Sequence, residues 1–218
     1  RDGDGRQDAI DLGHGIFMSR DVSNAYRVIT AGGDVIINTG IAFHGEENHR
    51  RLSAVSQNPV AAIVFTQSHA DHIGGWRWFV TPQTDTIAQA NFDHVYGYFE
   101  GLRQAMTKRS RGLWKRDLKE TVSEFIKPEI TISFHDSYQF DLGGRHFELY
   151  SVPGGETIDS LVVWLPEEKI AFTGNMTGPI FGHVPNLYTL RGDKIRYVQW
   201  YIDSVQRVID LGPEVLIT

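Results

Sequence analysis

The sequence predicts a layered α/β or α+β sandwich, with two groups of strands and helices between them. Three observations lead there. The runs "VAAIVFT" (60–66) and "LVVWL" (161–165) are apolar nearly throughout, as strands buried on both faces are. "EITISF", "SYQFDL" and "RHFELYSV" alternate in polarity as antiparallel strands do. Helical spacing separates these groups, at 46–57, between 85 and 124, and at 195–209.

Taken in order, residues 15–40 read as a hairpin or meander. Tyr26–Thr30 and Val35–Asn38 are the strands, joined by a Gly-Gly-Asp turn. Glu46–Gln57 is a helix that stops before Asn58-Pro59. The apolar run after it ends where the loop 66–75 begins. Val95, Phe99, Leu102 and Met106 mark a helix face, and the basic cluster "TKRSRGLWKR" beyond them reads as a solvated face. Gly143-Gly144 joins two strands by a tight turn. Ile195, Val198, Ile202, Val205 and Ile209 predict the apolar face of a last helix, closed by Gly212-Pro213, before a strand in "EVLIT".

At 218 residues with no linker-like or low-complexity tract, one domain over 1–218 is expected, long enough to bury a core. A net charge of −6 argues against a nucleic-acid or anionic-membrane surface. The expected partner is therefore a small-molecule substrate or another protein. There is no cysteine, so a metal would be held by nitrogen and oxygen alone. No apolar run spans a bilayer and the opening residues lack a leader's apolar core, which leaves the cytoplasm and, after cleavage, the periplasm or exterior open.

The chemistry concentrates in "TQSHADHIGG". Gln67, His69, Asp71 and His72 fall within six residues at the end of a core strand, and a divalent ion needs such converging lone pairs. Gly74-Gly75 is expected to let the backbone turn tightly there. His183, in "FGHVPN", reads as a loop residue.

This loop resembles the Thr-His-x-His-x-Asp-His signature of the metallo-β-lactamase superfamily. "VIINTG", "PGGETIDS" and "FTGN" are similar to three further segments of that family, with Asn38, Glu156 and Asn175 at its Asp, His and Asp positions. "NLYTLRG" (186–192) is similar to a stretch of its alkylsulfatase group, which uses Glu for the third His. The resemblance implies a four-layer αββα sandwich and a metal-dependent hydrolase. It further implies zinc, one or two ions, with manganese or iron as alternatives. Gln67, His69 and Glu156 would hold one ion, and Asp71 and His72 a second, with Asn175 near the bridge. Asp71 is the expected catalytic carboxylate, and Asn186 and Arg191 would grip a sulfate or other anionic group. The family also implies a homodimer and a C-terminal continuation carrying a further His. Two readings of other classes stay open: a binding or regulatory module that keeps the fold, and a two-iron oxidoreductase.

Overall fold

The computed structural model describes residues 8–105, 108, 126–154, 156–177 and 196–218. Among them a mixed sheet of seven strands runs in sequence order. Its antiparallel part is β1 (Ile10–Asp11), β2 (Ile16–Ser19), β3 (Ala25–Val28) and β4 (Asp34–Ile37). Its parallel part continues from β4 through β5 (Val60–Val64), β6 (Asp85–Gln89) and β7 (Ile132–Phe134). The second sheet is antiparallel through β8 (Ser137–Leu142), β9 (Arg145–Ser151), β10 (Leu161–Leu165) and β11 (Ile170–Phe172). It closes with β12 (Val215–Ile217), parallel to β11.

The layering follows from strand alternation. Val35, Ile37 and Val64 point into a core between the sheets, where they meet Phe147, Leu149, Val163 and Phe172. Ile36, Ile63 and Phe65 point outward, against Leu52 of α1 (Gly45–Ser53), Ile73 of α2 (Ala70–Ile73) and Phe92 of α3 (Phe92–Gly101). Val162 and Trp164 face the opposite outer side, where Val208 of α4 (Val198–Leu211) covers them. Helix, sheet, sheet, helix is the resulting order. Strands buried on both faces need no polar alternation, which is why 60–65 and 161–165 read as unbroken apolar runs.

Three expectations are corrected. The stretch from 85 to 124, read as helical through Val95, Phe99, Leu102 and Met106, opens with strand β6 at 85–89, and its helix begins at Phe92; Met106 and most of the basic cluster lie outside the described residues. Ile132–Phe134 pairs in parallel with β6 and belongs to the first sheet, so it is no antiparallel neighbour of β8. The stripe expected to bury α4 does not: Val198, Ile202 and Ile209 are 55, 51 and 60% exposed. The helix instead packs through Tyr201, Ser204, Val208 and Leu211. Ser204 hides this face from a hydrophobicity pattern, because its hydroxyl is satisfied by donating to Pro153 O at 2.6 Å.

Gly143 shows how the two sheets touch at one end. It has φ 56°, and a Cβ there would stand 2.1 Å from Gly32 N, so only glycine fits both the turn and the contact.

Candidate active site

The site forms where β5 ends. Thr66 O accepts Leu161 N at 2.9 Å, and Ser68 N donates to Asp159 Oδ2 at 2.8 Å. These two bonds clip the 66–69 loop to the segment before β10, the segment that carries Glu156. As a result Glu156 Oε1 faces His69 Nδ1 at 3.7 Å, with both side chains buried. Gln67 Nε2 donates to the same His69 Nδ1 at 2.7 Å.

His69 occupies the N-terminal cap position of α2, which turns the next donors to a neighbouring spot. His72 N bonds back to His69 O at 2.9 Å, and His72 O accepts Thr39 N at 2.7 Å. Gly74 and Gly75 have ordinary negative φ, so tight turning is not their role. A Cβ on them would meet Ala42 N at 2.3 Å and Thr39 O at 2.4 Å. They are required by close backbone approach, which seats His72 under the end of β4.

Asn38, at the end of β4, has φ 57° and acts on this loop rather than on a ligand. Its Oδ1 accepts Thr66 N at 2.9 Å and its Nδ2 donates to Thr66 Oγ1 at 3.0 Å. Thr66 Oγ1 in turn lies 3.4 Å from His72 Nδ1, which leaves His72 Nε2 aimed at the site. There it stands 4.0 Å from Asp71 Oδ2. Asn175 hydrogen-bonds to His72 as well.

The expected ligands therefore gather as two carboxylate–imidazole pairs, His69 with Glu156 and His72 with Asp71. The two rings are 6.4 Å apart. Burial holds His72 below the usual imidazole range, against the opposite pull of Asp71 and the Asn175 hydrogen bond, so its neutral, ligating form is favoured. For Asp71 burial acts upward, but His72, His69 and the Ser23 hydroxyl outweigh it and keep the carboxylate ionised. Asn186, Arg191 and His183 lie outside the described residues.

Three contributors were not read from the sequence. Ser23, in the turn between β2 and β3, donates to Asp71 Oδ2 at 2.5 Å and lies 3.2 Å from His72 Nε2. Arg196 brings Nη1 to within 3.0 Å of Glu156 Oε2 and is 1% exposed. Buried Asp159 holds the loop from beneath. Only its pairing with the backbone of a ligand loop marks it, and sequence spacing carries no signal for that.

A catalytic zinc takes three protein donors. Among the described residues no three His, Asp or Glu side chains gather as a metal centre. Beside His69 and Glu156, Gln67 would add a third donor once its amide presents oxygen instead of nitrogen after a half-turn. Nitrogen, carboxylate and neutral oxygen fit a divalent cation, with harder metals favoured more than in an all-imidazole site.

The sequence profile of the metallo-β-lactamase superfamily matches residues 18–218. With the two facing sheets and flanking helices, this places the chain in that superfamily, whose members are metal-dependent hydrolases. The linear primary-alkylsulfatase of Pseudomonas sp. (strain ATCC 19151) is 27% identical over 85% of this chain and 39% of its own length. An alkyl/aryl-sulfatase of Saccharomyces cerevisiae is 25% identical over 97% of this chain and 38% of its own. The inverting sec-alkylsulfatase Pisa1 from Pseudomonas sp. superposes with a TM-score of 0.77 at 22% identity, covering 97% of this chain and 38% of that one. The chain thus spans about two fifths of the length of these relatives. A metallo-β-lactamase from Pontibacter korlensis, of similar size, superposes with a TM-score of 0.68 at 18% identity.

Proposed function

We propose that this chain is the metal-binding part of a hydrolase of sulfate esters, working with one divalent ion. The observation that carries the reading is the pairing of two buried imidazoles with a buried and a half-buried carboxylate at 3.7 and 4.0 Å, at the end of a core strand. Such donor pairs are costly to assemble unless they bind something. Similarity to two curated sulfatases supports the substrate class.

A divalent ion held there would supply what the side chains lack, a Lewis acid that makes hydroxide available from water near neutral pH. Asp71 is the residue placed to orient that water and take up its proton, since its carboxylate is ionised and only half-buried. Arg191 and Asn186, through the fork of a guanidinium and an amide, would hold the sulfate oxygens. The test is release of sulfate from a primary alkyl sulfate by the full-length protein, before and after chelation and after adding back manganese or zinc. Sulfate release that stops on chelation and returns with metal supports the reading; release unaffected by chelation contradicts it.

A second reading, a binding module without hydrolysis, is favoured by the guanidinium of Arg196 on Glu156, which answers one site carboxylate with a protein cation. That reading requires the purified full-length protein to bind the alkyl sulfate without cleaving it.

A further inference from the structure

We infer that Arg196 is a positioning residue that makes Glu156 a one-oxygen ligand, and so sets which divalent ions the site prefers. The inference rests on the hydrolase reading above and deepens it, by naming what decides how this carboxylate meets the ion.

The two oxygens of Glu156 face different partners. Oε1 lies 3.7 Å from His69 Nδ1, close enough for both atoms to reach one ion at about 2.0–2.1 Å each. Oε2 lies 3.0 Å from Arg196 Nη1, in a charge-assisted hydrogen bond. The side chains of Arg196 and Glu156 are 1 and 9% exposed, so water competes little for that bond. A carboxylate fastened in this way presents a single oxygen inward. To clasp an ion with both, it would have to leave a buried guanidinium unanswered, which is costly.

The backbone holds both members of the pair in place. Arg196 stands two residues before α4, and α4 packs on the loop that carries Glu156. Ser204 Oγ donates to Pro153 O at 2.6 Å. Gly154, two residues before Glu156, has φ 102°, and a Cβ there would stand 2.7 Å from Tyr201 N. Beyond Glu156, Asp159 Oδ2 accepts Ser68 N at 2.8 Å. The carboxylate therefore sits between the start of a docked helix and the ligand loop.

Discrimination by size follows. Zinc takes four ligands at about 2.0–2.3 Å, and one carboxylate oxygen suffices as one of them. Larger ions, with ligands at about 2.3–2.6 Å, take more oxygens and often both of one carboxylate. Holding Oε2 on Arg196 denies them the second. Cadmium serves as the large probe, because it accepts imidazole nitrogen as well as oxygen.

The test compares zinc and cadmium affinities of the full-length protein by competition with a chromophoric chelator. Arg196→Met removes a positive charge, which raises affinity for both ions alike, and frees Oε2, which favours the larger ion. The ratio of the two affinities is therefore the readout. Arg196→Met is expected to shift it toward cadmium by about tenfold. Arg196→Lys, which keeps the charge and a donor for Oε2, is expected to hold the wild-type ratio. Equal changes for both ions in Arg196→Met overturn the inference and leave the hydrolase reading intact. A crystal structure of the cadmium-loaded wild type checks the same point without any variant. One Glu156 oxygen on the ion and the other on Arg196 is expected, and both oxygens on the ion overturns the inference. Wild type that binds neither zinc nor cadmium overturns both this inference and the hydrolase reading.

Discussion

Arg196 Nη1 lies 3.0 Å from Glu156 Oε2, and both side chains are buried. A protein cation thus occupies the outer side of a carboxylate whose inner oxygen faces His69. Removing one member of a buried pair typically costs about 3–5 kcal/mol, because the remaining charge stays desolvated. Arg196→Met is therefore expected to lower unfolding stability by about that amount in urea titrations. The double variant Arg196→Met/Glu156→Gln should recover part of the loss. Additive effects of the two substitutions would show that the pair is not coupled.

A second buried pair fastens the first sheet to its helix. Arg27 Nε donates to Asp34 Oδ2 at 2.6 Å, Nη1 to Leu52 O at 3.1 Å and Nη2 to Asn58 O at 2.7 Å. Burial alone would raise the Asp34 pKa, but hydrogen bonds from Ser56, Asn58, Arg27 and the Thr30 backbone bring it below the ordinary value. Its stabilising share is present above the unfolded carboxyl pKa of about 4 and is lost as pH falls through the lower folded value. Arg27→Met should cost about 3 kcal/mol or more at pH 7. It should also flatten the acid limb of the stability curve, which an unchanged limb would refute.

Asp159 behaves in the opposite sense. Burial pushes its carboxyl up to about 6, against the hydrogen bonds from Thr157 and Ser68. A raised acid favours the folded state fully below pH about 4, and that contribution disappears as pH climbs through about 6. Asp159→Asn keeps an acceptor for Ser68 N without the charge. It is expected to match wild type in unfolding free energy at pH 4 and to exceed it at pH 7 by up to about 3 kcal/mol, with a higher Tm there. A Tm difference independent of pH would mean that Asp159 is not protonated on folding.

How much of this was readable beforehand differs by level. The four layers follow from apolar runs such as 60–65 and 161–165, which need only burial on two faces. Ligand-type residues close in sequence, Gln67 through His72, were legible because one loop brings them together. Glu156 was reached through resemblance, since its approach to His69 depends on two backbone clips from Thr66 and Ser68. Ser23 and Arg196 left no trace, being ordinary residues whose partners lie 40 or more positions away. The buried face of α4 was missed because a hydrogen-bonded serine stands at its centre, where a hydrophobicity pattern looks for an apolar side chain.

The account's central claim, one divalent ion held among His69, Glu156, Asp71 and His72, is tested most directly by metal-to-protein stoichiometry. The full-length protein, purified without chelator, is measured as wild type, Gln67→His and His72→Ala by elemental analysis. Gln67 keeps the His69 side short of a strong nitrogen donor, so restoring imidazole there should raise the metal content or add a second ion. His72→Ala removes one of the two imidazoles of the site. The expected ratios are near one for wild type, higher for Gln67→His and near zero for His72→Ala. Equal, near-zero metal in all three would contradict the account.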